Sequence, residues 1–279
     1  MAIPILKTWK RYFLDNPDEG LGSSYERIII NDKLSSICKQ KKISTVLEVP
    51  LFGFTGLSGI NSMELARQGM KITIADNDRE RIDLIERIWR STGLKAEILY
   101  LKKFSDLFFP ADTFDLAWNY SALWFVDDLA VFLDKLTSCV SQVIMFCVPN
   151  KTGLGYLSQK YISGADLRKY LEEDNIRPAK IKNLMHQRGW KLVEKGYFDN
   201  PPWPDIGMSK EELLQLFGLK FLIRENRENR RSISIMDYYR DKDPDFREKM
   251  MKYSWLEQIS PKFVKFFWSH HKYLVFEPE

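Results

Sequence analysis

Four groups of polar residues stand where short apolar runs break off, and each suits a particular kind of contact. Glu48 falls within the run Val46-Leu47-Glu48-Val49, which is followed by Pro50 and a loop carrying Gly53, Gly56 and Gly59. Glycines there let the backbone approach a ligand with no Cβ in the way, and amides opening a helix attract a carboxylate or phosphate. The plainer reading is a loop that closes a strand–helix unit. Asp76 ends a second run, Ile72-Thr73-Ile74-Ala75, and precedes Asn77 and Asp78. A carboxylate at such a strand end accepts hydrogen bonds from a ribose diol, while Asp78 is placed to cap the next helix. Asn119 and Tyr120 follow a third run, Phe114 to Trp118, and bring polar tips to the same edge. His270 and His271 precede the last apolar run; with Tyr120 they are the candidates for proton transfer, since imidazole titrates near neutrality. Their plainer reading is capping or solvation.

The elements that would hold these residues follow from periodicity and breakers. Helices are expected over 7–14 and 24–39, separated by Asn16-Pro17-Asp18-Glu19-Gly20. Strands at 43–49, 71–76, 96–101, 114–118 and 142–148 alternate with helices at 61–68, 78–92 and 129–138, with Gly69 and Gly93 closing two of them. Helices at 165–173 and 178–188, a sixth strand at 189–194 and a seventh at 272–276 complete the chain. Alternating strands and helices form a parallel sheet covered on both faces, with ligands at the carboxyl ends of the strands. The expected fold is α/β: a Rossmann-like, doubly wound, seven-stranded sheet with N-terminal helices and a helical insertion before the last strand. The expected division is 1–42 as accessory helices, 43–198 with 272–279 as the cofactor-binding core, and 199–271 as an insertion too long for a plain loop. The insertion is rich in aromatic and Met residues, among them Trp203, Phe217, Met236, Tyr239 and Trp268, and would form a lid over an acceptor site.

Composition sets the outer limits. The chain has 279 residues, 44% of them hydrophobic and 29% charged, with a net charge of +4. Those values fit a folded globular protein and neither demand nor forbid nucleic acid. No apolar run approaches the ~18 residues that span a bilayer, and the first residues show no secretory pattern. Cys38, Cys139 and Cys147 are too few and too scattered for a disulfide framework or a zinc site, so a reducing, cytoplasmic setting and no metal are expected.

Taken in order, the motifs resemble those of class I S-adenosylmethionine-dependent methyltransferases of the small-molecule type. Val46-Leu47-Glu48-Val49 is similar to that family's first motif, Ile74-Ala75-Asp76 to its second, and Phe114-Asp115-Leu116-Ala117-Trp118-Asn119 to its fourth. The resemblance covers 43–148 well and 178–197 loosely. It implies S-adenosyl-L-methionine as cofactor, held by Glu48, Gly53, Gly56, Gly59, Asp76, Asn77, Phe104 and Asn119. It also implies an acceptor pocket lined by Tyr120, Trp124 and Tyr156. The chain departs from the family in two places. Pro50 replaces the first glycine of the loop, and Lys103 stands at the usual adenine-side Asp, leaving that contact to Asp106 or Phe104. The glycine spacing also fails the dehydrogenase fingerprint.

The resulting expectation is an enzyme that methylates a small organic or lipid-like molecule. Two alternatives remain open on sequence grounds. One is an RNA or protein methyltransferase using Lys33, Lys39, Lys41, Lys42 and the 224–231 charge run; the other is a cofactor-fold scaffold without catalysis, suggested by Pro50. The tetrapeptide Asn200-Pro201-Pro202-Trp203 looks like an amine-binding motif but follows the sixth strand, where Pro-Pro more often ends a strand.

Overall fold

The computed structural model describes residues 20–51, 57–162, 172–198, 234–252 and 254–279. Among them, β1 (Thr45–Glu48), β2 (Lys71–Asp76), β3 (Glu97–Tyr100), β4 (Phe114–Tyr120), β5 (Val140–Pro149), β6 (Trp190–Phe198) and β7 (His271–Pro278) form one sheet. Its order is β3-β2-β1-β4-β5-β7-β6. Neighbours from β3 to β5 run parallel, whereas β7 is antiparallel to both β5 and β6. The order reverses at β1, with β2 on one side and β4 on the other; this is the crevice where open α/β sheets bind ligands.

The inner strands are buried on both faces because helices cover both. One face carries α1 (Gly20–Lys41), α2 (Met63–Arg67) and α3 (Arg79–Thr92), whose Tyr25, Ile28, Leu34, Met63 and Ile85 pack with Val46, Ile74 and Leu116 of the strands. The other face carries α4 (Leu129–Cys139), α5 (Leu154–Ile162) and α6 (Pro178–His186), packed on Leu47, Ala117, Ile144 and Phe276. Alternate residues of β1, Val46 and Leu47, therefore serve opposite cores, as a strand's period of two requires. α1 supplies fully buried residues to the same core as β1. It begins at Gly20, four residues before the expected start, and the helix expected over 7–14 lies outside the described residues.

The other differences have local causes. β4 extends through Tyr120 and β6 through Phe198, because pairing with neighbouring strands continues past the point where the sequence turns polar. The described part of the insertion comprises α7 (Ile235–Tyr239), α8 (Phe246–Met251), α9 (Trp255–Ile259) and α10 (Lys262–Trp268). Here α8 packs against α1, and Tyr239 accepts a hydrogen bond from Asn31 of α1 at 3.2 Å. Residues 163–171, which hold most of the helix expected at 165–173, and 199–233, with Asn200-Pro201-Pro202-Trp203, lie outside the described residues.

Gly59 marks the closest approach in the loop between β1 and α2. Its φ is +74°, and an added Cβ would lie 2.5 Å from Cδ1 of Ile85 on α3. Its carbonyl accepts a hydrogen bond from Nε1 of Trp89 at 2.7 Å, tying the loop to α3. A Gly59→Ala variant should lose about 2 kcal/mol of stability, combining left-handed backbone strain with overpacking. Thermal unfolding checks this, and an unchanged midpoint would show that the loop moves freely away from α3.

Candidate functional site

The end of β1 is organised around a carboxylate with no access to water. Glu48 is buried, its Oε1 accepts from Asn61 Nδ2 at 3.1 Å, and its Oε2 accepts from Ser62 Oγ at 2.6 Å. Ser62 Oγ in turn accepts from Nε1 of Trp118 on β4 at 3.0 Å. Arg27, buried on α1, donates to Asn61 Oδ1 and to the Leu57 carbonyl. One chain of polar contacts thus joins α1, the glycine loop, the start of α2, β1 and β4. Burial pushes the Glu48 carboxyl up to about 7, against the opposing pull of Ser62, Asn61 and Arg27.

At the end of β2, Asp76 is fully buried. Its Oδ1 accepts from Arg81 Nη2 at 2.5 Å and from the amide of Asp78 at 3.0 Å. Its Oδ2 has no hydrogen-bond partner among the described residues. Burial raises the Asp76 pKa, opposed by Arg81 and the amides of Asp78 and Asn77. Asp78 caps α3 through Arg81 N, which releases Asp76 from that task. Asn77 is exposed beside them.

The end of β4 carries Asn119 and Tyr120. Asn119 Nδ2 donates to the Val49 carbonyl at 3.2 Å, leaving Oδ1 buried without a partner among the described residues. Tyr120 turns to the α1 face, where its hydroxyl donates to Glu26 and lies 2.6 Å from Nδ1 of His271. The Glu26 carboxylate and His271 Nδ1 are 2.7 Å apart. Burial alone would raise the Glu26 carboxyl; the charge and hydrogen bond of His271 outweigh it and hold it near 2. Asn150, at the end of β5, donates to the carbonyls of Phe266 and Ser269 at 2.9 and 2.8 Å, which anchors the segment leading into His270 and His271.

Of the expected site residues, Glu48, Asp76, Asn119, Tyr120 and His271 come to the carboxyl edge of the sheet. Gly53 and Gly56 lie outside the described residues, whereas Gly59 borders the loop as above. Phe104 packs edge-on to Phe132, and Asp106 accepts from the amide of Lys103 at 3.1 Å. Trp124 and Tyr156 are buried in the core on the α4 face, and Trp124 Nε1 has no partner among the described residues. Sequence reasoning missed Glu26, Arg27, Asn61, Ser62 and Asn150. The available signal was polar residues interrupting the apolar stripe of α1, with Glu26-Arg27 set between Tyr25 and Ile28.

Among the described residues, no group of three or more His, Cys, Asp or Glu could hold a metal ion, and no helix is long and apolar enough to cross a membrane. A groove of about 520 Å³ at the opposite edge, lined by Thr45, Lys71, Lys95 and Glu97, contains none of these site residues.

The fold is that of the class I S-adenosylmethionine-dependent methyltransferases. The chain is similar to magnesium protoporphyrin IX methyltransferase from Synechocystis PCC 6803, crystallised with bound S-adenosylhomocysteine: TM-score 0.54, 13% identity, covering 71% of this chain and 88% of that one. It is also similar to a sarcosine dimethylglycine methyltransferase from Galdieria sulphuraria (TM-score 0.50, 12% identity, 88% and 83% covered). A third likeness is to MccD protein (TM-score 0.51, 13% identity, 90% and 96% covered). No protein-family model matches the sequence, and neither does any curated protein.

The Glu48 assignment predicts a pH signature. Its pKa is higher folded than unfolded, so the unfolded chain releases this proton first as pH rises. Stability from this group is therefore full below about 4.5 and falls as pH climbs towards 7, by an amount on the order of 3 kcal/mol. Glu48→Gln should flatten that part of the curve in calorimetric scans from pH 4.5 to 8. Parallel curves for variant and wild type would show Glu48 to be ionised throughout.

Proposed function

We propose that the chain is an S-adenosylmethionine-dependent methyltransferase acting on a small organic or lipid-like acceptor. The observation that carries this reading is the pair of buried oxygens left without donors at the switch point, Asp76 Oδ2 and Asn119 Oδ1. Buried acceptors are rarely left unpaired, and a ligand bearing hydroxyl and amino groups at the ends of β2 and β4 would satisfy both. The residues fit the cofactor: Asp76 would take the ribose hydroxyls, and the loop through Ser58 and Gly59 the amino-acid end. Asn119 would stand between cofactor and acceptor. When bound, the cofactor supplies an electrophilic methyl on sulfur for in-line transfer to a nucleophile. The protein's part is to fix the two reactants in line and to keep water out.

Each of the chain's own groups has a task in that arrangement. Arg81 holds one oxygen of Asp76 and so aims the other. Arg27, Asn61 and Ser62 brace the glycine loop against α1 and β4. Helix α10 runs directly into His270 and His271, which supports a role for 199–271 as a cap on the acceptor side. The fold-level likeness to methyltransferases of small molecules supports the acceptor class, as does the modest net charge of +4.

Isothermal titration calorimetry tests the cofactor. S-adenosylmethionine and S-adenosylhomocysteine should bind with micromolar affinity, and Asp76→Asn should weaken both by about 1.5–3 kcal/mol, the scale of a hydrogen bond to a charged group. Absence of binding to a folded wild-type protein would remove the catalytic reading.

A further inference from the structure

We infer that His271 accepts the acceptor's proton, held in position by Glu26, and that the acceptor therefore carries an O–H or N–H it must lose on methylation. This rests on the methyltransferase reading above. Glu26 and Tyr120 are 1% and 2% exposed and His271 fully buried, so the three form a closed polar cluster between α1, β4 and β7. The Tyr120 and His271 rings stand 4.5 Å apart between centroids.

The Glu26 carboxylate favours one tautomer of His271. An ionised carboxylate has no proton to give, so the imidazole nitrogen at 2.7 Å from Glu26 must be the one that carries hydrogen. The Tyr120 hydroxyl also directs its proton to Glu26 and so does not supply one to Nδ1. In the neutral ring the lone pair then sits on Nε2, and that atom is buried with no hydrogen-bond partner among the described residues. In that neutral form Nε2 is a basic nitrogen without a donor; as imidazolium it carries the proton that Glu26 answers.

Its place in the sheet gives the donor's identity. His271 opens β7, opposite Pro149 at the end of β5, and its side chain crosses β5 to meet Tyr120 at the end of β4. β4 borders β1, so the imidazole reaches the carboxyl end of the strand beside the switch point, against Tyr120, the residue that follows Asn119. Among the described residues, the titratable groups around the cluster are Glu26 and Lys33 on α1, Tyr120 on β4, Cys147 on β5, His270 just before β7, and Lys272 and Tyr273 on β7. Burial raises the Cys147 thiol, so it stays neutral. The Lys272 ammonium faces the Tyr197 and Phe266 rings. Glu26 is thus the carboxylate that answers an imidazolium.

The step balances. The acceptor's proton passes to His271 Nε2, and the electron pair of that O–H or N–H bond stays on the acceptor atom, which forms the new bond to the methyl carbon. The methyl–sulfur bond breaks with its pair left on sulfur. The positive charge lost from the sulfonium reappears as imidazolium beside Glu26, and the proton leaves to solvent on product release. Glu26 is a positioning residue here, acting through His271.

The test needs no identified acceptor. S-adenosylmethionine and S-adenosylhomocysteine differ by a methyl and one positive charge, so a base near the methyl must titrate differently in the two complexes. Nitrogen NMR of the full chain follows its three imidazoles. The His271 signal is assigned by its loss in His271→Gln or, should that variant fold poorly, by proximity to the Tyr120 ring. The neutral ring should carry hydrogen on Nδ1 and not on Nε2. Its Nε2 nitrogen shift at one neutral pH should differ between the S-adenosylmethionine and S-adenosylhomocysteine complexes, and Glu26→Gln should change it in the ligand-free protein as well. Identical His271 nitrogen shifts in two complexes that calorimetry shows to be formed would overturn the assignment, as would a neutral ring protonated on Nε2. If neither ligand binds, the cofactor reading itself fails and this inference falls with it.

Discussion

A carboxylate shut away from water at the end of a central strand must be answered from elsewhere in the chain. The answer to Glu48 decides how the site is assembled. Its two oxygens are taken by Asn61 and Ser62, and those residues are fixed in turn by Arg27 and Trp118. Removing one partner leaves another buried polar atom exposed to the same penalty, so the contacts stand or fall together. The consequence is geometric. Leu57, Asn61 and Ser62 are thereby held against α1, β1 and β4.

This explains why α1 belongs to the core despite its position at the edge of the αβ repeat. A helix that carried only apolar residues to the sheet would cover it equally well. Instead α1 buries Glu26, Arg27 and Asn31 on the face that also buries Tyr25, Ile28 and Ile30. Each buried polar residue has a distant partner: Asn61 for Arg27, His271 for Glu26, Tyr239 for Asn31. The apolar residues supply the adhesion, through burial from water. The polar residues set which loop, which strand end and which part of the insertion lie against the helix.

That division of labour also accounts for what the sequence made legible. The strands from β1 to β5 are apolar runs cut off by Gly, Asp or Pro, and local pattern suffices to place them. Asp76 and Asn119 are readable because they sit immediately at the ends of such runs. The strand expected at 189–194 falls short of β6, since an outer strand with Lys191, Glu194 and Lys195 exposed loses the continuous apolar signature while its ladder to β7 continues to Phe198. The cluster of Glu26, Tyr120 and His271 could not be read at all as a unit. Its members are 94 and 151 residues apart along the chain, and periodicity carries no information at that range. The sequence offered His271 and Tyr120 as separate candidates; their juxtaposition, and the part played by Glu26, belong to the tertiary fold.

Three of the buried atoms without a partner among the described residues share one chemical character. Asp76 Oδ2 and Asn119 Oδ1 accept hydrogen bonds, and so does His271 Nε2 in the tautomer that Glu26 favours. In each residue the second polar atom is engaged by a protein group, namely Arg81 and the Asp78 amide, the Val49 carbonyl, and Glu26. Those engagements fix which atom remains, so the preference for acceptors follows from the fold and does not depend on rotamer choice. A ligand that donates at spaced positions would satisfy all three strands at once.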